Sequence, residues 1–198
     1  MKKIGLLGGT FDPPHNGHLI IANEVLTQCQ LNEIWFIPAY VPPHKQKMNV
    51  TKLEHRVNMV KLAIESHPSF RLSTIEIERK GPSYTYDTIK SLKVKYPDVL
   101  FYFIIGTDMV QDLPNWKKID ELIKMTTFIG VDRPGFSFKS KYAHVIETVE
   151  APLIDISSTF LRQRFQNKQS TRYYLPDNVR QYIKENHLYE STRSSPNY

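Results

Sequence analysis

The chain holds a single cysteine, Cys29, so an intrachain disulfide is excluded and the sequence fits a reducing compartment. No run approaches the ~18 consecutive apolar residues of a membrane span. The N-terminus passes from Lys2 and Lys3 into a short strand-like segment and a Gly-rich turn, which is not the pattern of a signal peptide. These absences predict a cytoplasmic protein without a membrane partner. Acidic residues are nowhere grouped at the spacing of a dedicated cation cage, so no metal ligands are assigned to the protein. Internal repeats and low-complexity segments are lacking as well. Glycine is sparse, with 8 among 198 residues, which makes the adjacent pair Gly8-Gly9 conspicuous.

What is present suits one globular domain. Hydrophobic residues make up 40% of the chain and charged residues 23%, enough apolar surface to offset the entropy of ordering it. Lys and Arg number 26 against 20 acidic residues, a formal charge of +6 that concentrates polyanions near the surface. The basic residues are scattered, so a mixed solvated surface is the simpler reading and no nucleic-acid partner is expected.

Apolar runs alternate with helical periodicity for most of the length. Strands are predicted at Ile4 to Leu7, Ile34 to Ile37, Phe70 to Ile77, Leu100 to Ile105, Phe128 to Val131 and His144 to Val149. Helices are predicted from about His18 to Cys29, and at Leu53 to Ile64, Tyr86 to Val94 and Ile119 to Met125. Two more, Ser157 to Phe165 and Val179 to Asn186, form a C-terminal helical cap. The alternation predicts an α/β fold, a Rossmann-like open parallel sheet with helices on both faces. Residues 1 to 190 read as one domain and 191 to 198 as a disordered tail. Ligands of such sheets bind at the carboxyl ends of the strands, here the loops after Leu7, Ile37, Ile105 and Val131.

The most informative segment is Gly8-Gly9-Thr10-Phe11-Asp12-Pro13-Pro14-His15-Asn16-Gly17-His18, which joins the first strand to the first helix. Glycines admit close backbone approach, and the helix start offers unpaired N–H groups to an anion. His15 and His18 bracket Gly17, so both imidazoles are placed to donate to phosphate oxygens as charge develops. Neither of two common phosphate loops fits: no Lys-Ser or Lys-Thr follows, and the glycines lack the G-x-G-x-x-G spacing. A second cluster, Ile156-Ser157-Ser158-Thr159-Phe160-Leu161-Arg162, sets three hydroxyls at a helix start with a planar guanidinium one turn on. Ser157 also reads as an N-cap. Asp108, after the apolar strand ending at Ile105, suits a ribose hydroxyl or a helix cap.

His15-Asn16-Gly17-His18 with the Ser-Ser-Thr-Phe-Leu-Arg segment resembles the HxGH nucleotidyltransferase superfamily. Within it, GGTFDPPHNGH, PPHK, GPSYTYDT, FIIGTDM, LPNW and ISSTFLR resemble, in order, the bacterial nicotinate-nucleotide adenylyltransferase family, over Lys3 to Ser191. The resemblance implies transfer of the adenylyl group of ATP to the 5′-phosphate of nicotinate mononucleotide in NAD biosynthesis, with Mg2+ arriving on the ATP. It implies catalytic roles for His15, His18 and Arg162. ATP contacts would come from Gly8, Gly9, Thr10, Phe11, His18, Gly106, Asp108, Ser157, Ser158, Thr159 and Arg162. For the acceptor it implies Lys45, Tyr84, Thr85, Trp116, Lys117 and Arg133, with the pyridine stacked on Trp116 and its carboxylate read by amides near Thr85 and Lys117. Where relatives often carry tyrosine after the tryptophan, this chain has Lys117. A homo-oligomer is compatible with all of this. Two alternatives stay open: the same chemistry on another phosphate acceptor, such as phosphopantetheine or a lipid-head-group precursor, and a nucleic-acid-binding module suggested by charge alone.

Overall fold

The structure is a computed structural model that describes residues 1–41, 50–132, 141–152 and 155–190. Six parallel strands form one sheet: β1 (Lys2–Gly9), β2 (Glu33–Pro38), β3 (Phe70–Leu72), β4 (Val99–Gly106), β5 (Thr127–Asp132) and β6 (Ile146–Glu150). Their order is β3-β2-β1-β4-β5-β6. Chain direction across the sheet therefore reverses between β1 and β4, and the crevice at their carboxyl ends is where open α/β sheets bind ligands.

The helices are α1 (Asn16–Gln28), α2 (Leu53–Ile64), α3 (Ile75–Arg79), α4 (Thr85–Lys95), α5 (Thr107–Val110), α6 (Ile119–Leu122), α7 (Ser158–Gln166) and α8 (Asp177–Glu185). Strand side chains alternate between faces, so each face acquires its own core. Ile34, Phe36, Ile104 and Ile129 pack with Ala22 and Val25 of α1 and Met59 of α2. Ile4, Leu6, Phe103 and Phe128 pack with Ile89 and Leu92 of α4 and Leu122 of α6. The C-terminal helices are integral to the first of these cores, to which they contribute Leu161, Val179 and Ile183. Among the described residues no helix is long and apolar enough to cross a membrane. The tail at 191–198 lies outside the described residues.

Three element expectations need correction. The strand expected over Phe70 to Ile77 ends at Leu72: Phe70, Arg71 and Leu72 stand in register with β2, and the last bond to that strand is from Ser73 N–H to the Phe36 carbonyl at 2.9 Å. The chain then turns into α3, where Glu78 N–H bonds the Thr74 carbonyl at 2.9 Å. The alternation Ile75-Glu76-Ile77 imitates a strand because Glu76 faces inward, bonded to Thr88. The helix expected over Ile119 to Met125 stops at Leu122, where Thr126 diverts the chain into β5 by bonding the Phe101 carbonyl at 2.7 Å. His144 and Val145, expected in a strand, lie in a 3-10 turn that precedes β6.

Candidate active site

β1 runs directly into the loop marked for phosphate. A Cβ on Gly9 would stand 3.0 to 3.2 Å from the Phe11 ring, closer than ordinary contact, so a side chain there would press on the loop's own aromatic. Phe11 takes a left-handed backbone, φ 51°, which a non-glycine residue adopts only at a cost. Its buried ring meets His18 edge-on at 5.1 Å and Phe36 at 5.8 Å, which repays that cost by filling the core. The ring of Phe11, expected among the ATP contacts, therefore lies in the core. Gly17 serves His15 in the same way. A Cβ there would lie 3.0 Å from His15 Nδ1, so a side chain between the two histidines would displace the first.

The two imidazoles lie with centroids 3.7 Å apart. His15 N–H donates to His18 Nδ1 at 3.1 Å, which leaves the proton of a neutral His18 on Nε2. Burial pushes His15 down to about 4 and holds His18 well below its ordinary value, with repulsion from His15 adding to the effect. Both rings are neutral donors at neutral pH. An unfolded histidine titrates near ~6.5, so between that pH and about 4 the unfolded chain binds more protons than the folded one. The stability contributed by burying a neutral His15 is present above ~6.5 and is lost as pH falls through the folded value. Urea unfolding at a series of pH values from neutral downward should show His15→Asn with a shallower decline than the parent, by about 3 kcal/mol over the full window. Parallel declines would place the acid sensitivity elsewhere.

The second motif meets this loop directly. Arg162 donates from Nη1 to the Asp12 carbonyl at 2.8 Å and from Nη2 to Thr159 Oγ1 at 3.1 Å. Ser158 Oγ donates to the Pro13 carbonyl at 2.9 Å. Ser157 accepts from Phe160 N–H at 3.1 Å as the N-cap of α7. Two of the three hydroxyls are thus engaged in holding the motif, and Thr159, which accepts from Arg162, keeps its own hydroxyl proton for a ligand. With five donor protons and two bonds made, the Arg162 fork retains donors for an anion.

Neither motif would hold its place alone. Asp12, 4% exposed, accepts at Oδ1 from the Tyr189 hydroxyl at 2.6 Å and at Oδ2 from Thr51 N–H at 3.1 Å. Arg56, 2% exposed on α2, donates from Nη1 to the carbonyls of Thr10 and Ala39, both at 2.9 Å, and from Nε to Thr51 O at 3.1 Å. One guanidinium thereby ties together the phosphate loop, the end of β2 and the approach to α2. The sequence reading missed both anchors. A signal for Arg56 existed: it occupies the buried stripe of α2 with Met59, Val60 and Ala63, where a charge is out of place unless it has partners.

Gly8, Gly9 and Thr10 also wall a cavity of about 230 Å³, together with Tyr84, Thr85, Trp116 and Lys117. This gathers four of the six expected acceptor residues around the phosphate loop. Trp116 is half-buried, its ring 6.0 Å edge-on from both Phe103 and Phe128, so one residue both packs against the core and borders the cavity. Thr85 opens α4, and its amide and that of Tyr86 have no acceptor within the helix, whereas Asp87 N–H already bonds the Tyr84 carbonyl at 3.0 Å. Lys117 bonds Asp87 at 2.8 Å and lies 4.9 Å from the Tyr84 ring centroid. Gly106 caps α5 at the end of β4. Asp108 falls within α5, but its side chain lies outside the described part, as do Lys45 and Arg133 entirely. A larger cavity of about 1030 Å³, bordered by residues of α7 and α8, contains none of the expected site residues. Size does not locate the chemistry, whereas the meeting of strand ends with both motifs does.

Comparison with known proteins agrees with this geometry. Residues 6–164 match the cytidylyltransferase-like family. Nicotinate-nucleotide adenylyltransferase of Bacillus subtilis (strain 168) is 55% identical over 191 residues, covering 96% of this chain and 100% of that protein. Nicotinic acid mononucleotide adenylyltransferase of Plasmodium falciparum superposes with a TM-score of 0.79 in its complex with NaAD and 0.76 in its complex with APC. Identity is 23% in both cases, over 96% of this chain and 98% of that one. The HxGH loop, the Ser-Thr-Arg helix start clasped to it and the tryptophan-lined cavity beside them all lie in the stretch shared with the Bacillus protein, and the chain belongs to the nicotinate-nucleotide adenylyltransferases, within the cytidylyltransferase-like family.

Proposed function

We infer that the chain transfers the adenylyl group of ATP to the 5′-phosphate of nicotinate mononucleotide, yielding nicotinate adenine dinucleotide and pyrophosphate, a step of NAD biosynthesis. One observation carries the reading. The loop from Gly8 to His18 and the segment from Ser157 to Arg162 are hydrogen-bonded to each other, and the same loop walls a cavity with Tyr84, Thr85 and Trp116. A triphosphate gripped at the first junction has its α-phosphorus next to an acceptor held in the second.

The acceptor's phosphate is already an anion, so direct in-line attack needs no base and no covalent enzyme intermediate. Positioning and charge stabilisation remain as the protein's contribution. We assign His15, His18 and Arg162 to the phosphate oxygens, Thr159 to the same chain, and the Gly106 turn to the adenosine side. Trp116 and Tyr84 frame the pyridine, and amides at Thr85 and Lys117 read its carboxylate. Among the described residues no set of three or more His, Cys, Asp or Glu side chains converges on a cation site. Asp12, the carboxylate within the loop, is already bonded at both oxygens. We therefore propose that Mg2+ is brought by ATP and not by a protein cage; bound to the phosphates it would supply charge neutralisation for the leaving pyrophosphate. The composition, with one cysteine and no long apolar run, supports work in the cytoplasm.

Pyrophosphate release measured with ATP and a panel of acceptors tests the assignment. Nicotinate mononucleotide should exceed phosphopantetheine and lipid-head-group phosphates by at least about a hundredfold in kcat/KM. A faster reaction with any acceptor lacking a pyridine ring would overturn it.

A further inference from the structure

Among the described residues the wall of the acceptor cavity holds one carboxylate, and the reaction above leaves it unused. Glu76, in the first turn of α3, borders it with only 7% of its surface exposed. Its Oε1 accepts a 2.7 Å hydrogen bond from Thr88 Oγ1, which fixes the carboxylate. Oε2 is buried without a hydrogen-bond partner. Neighbouring cations are directed elsewhere: Arg79 to the Pro82 carbonyl and Asp87, Lys117 to Asp87 at 2.8 Å. Among the described residues no ion pair reaches Glu76.

A buried carboxylate oxygen without a partner is unfavourable, and the deficit is relieved when a ligand brings positive charge. The other walls lean the same way, since Tyr84, Phe103 and Trp116 border the same cavity and aromatic π systems attract cations. The acceptor argued above supplies the charge, because a pyridine ring joined to ribose through its nitrogen is a pyridinium. In a cavity of about 230 Å³ that ring has no position remote from the walls. We infer that Glu76 is a specificity-determining residue whose carboxylate selects acceptors with a cationic ring over neutral rings of the same shape. The same charge repels the ring's own carboxylate, so it also turns that group toward the amides at the start of α4. This rests on a pyridine nucleotide being the acceptor.

The test uses the full chain, nicotinate mononucleotide and its reduced, dihydropyridine form, which is neutral at the ring. The parent should prefer the pyridinium by at least about tenfold in kcat/KM. Glu76→Gln keeps the shape and an acceptor for Thr88 while removing the charge. It should raise KM for nicotinate mononucleotide about tenfold, leave KM for ATP unchanged and erase most of the preference. Thr88→Val, which loosens the carboxylate but keeps its charge, should retain the larger part of it. Normal turnover of nicotinate mononucleotide with an undiminished preference in Glu76→Gln overturns the inference and leaves the reaction standing. Absence of turnover in the parent overturns the reaction instead. Should Glu76→Gln fail to fold, equal rates of the parent on the two ring forms overturn the inference by themselves.

Discussion

Replacing His18 by alanine lowers kcat by about a hundredfold or more while KM for ATP changes little, the signature of a donor that acts in the transition state. The expectation follows from the geometry of the pair. His18 Nδ1 is occupied by His15 N–H at 3.1 Å, so the free donor is Nε2–H, and burial keeps the ring neutral. A neutral donor of fixed orientation binds a developing negative charge without first having to give up a proton. Alanine also removes the acceptor for His15 N–H and one ring of a contact at 3.7 Å, which confounds chemistry with folding. Asparagine separates the two, because its amide oxygen falls near the position of Nδ1 while nothing reaches the position of Nε2. His18→Asn should therefore melt close to the parent and still lose turnover to a similar extent. A folded His18→Asn enzyme with undiminished kcat would show that the imidazole donor is dispensable.

The parts of the molecule that were legible in the sequence are those whose physics is local. α2 was expected over Leu53 to Ile64 and lies there, because its apolar period runs between Lys52 and Glu65 with only Arg56 breaking the buried stripe. The two motifs that meet beside the strand ends were legible because each is a contiguous run at a strand or helix end, where residue type and backbone position argue together. β3 and α3 were not, since five residues are too few to reveal a helical period when a buried carboxylate stands in place of an apolar side chain. The anchoring of the loop was hidden for a related reason. Arg56 reaches Thr10 across 46 positions and Tyr189 reaches Asp12 across 177, and no pattern within one window pairs such residues. Lys117 was read as a source of an amide alone. Its ammonium turns out to be engaged with Asp87, a partner 30 positions away on α4. Phe11 was grouped with the ligand contacts by its place in the motif, and only the positive φ and the packing on His18 and Phe36 reveal that its ring belongs to the core.

Loss of the Arg56 side chain should be the most destabilising single change in the site, with Arg56→Ala about 3 kcal/mol less stable than the parent by urea unfolding. The guanidinium serves three carbonyls, those of Thr10, Ala39 and Thr51, in a place where Arg56 itself is 2% exposed. Alanine leaves those acceptors facing a cavity. Water entering it recovers part of the bonding, which is why the expected loss falls short of three full desolvation penalties. Arg56→Lys retains the charge but has no planar fork to span three acceptors from different segments, so its stability should fall between the two. Tyr189→Phe breaks a single bond to Asp12 and should cost about 1 kcal/mol. The functional readout separates anchoring from bulk stability. The Thr10 carbonyl belongs to the phosphate loop, so a loosened loop has to be ordered by the nucleotide. Arg56→Ala, assayed well below its melting temperature, should then show KM for ATP raised by more than KM for the acceptor. Saturating ATP should in turn raise its melting temperature by more than that of Tyr189→Phe. Stability within about 0.5 kcal/mol of the parent, or equal changes in both KM values, would mean that the loop holds its shape without this arginine.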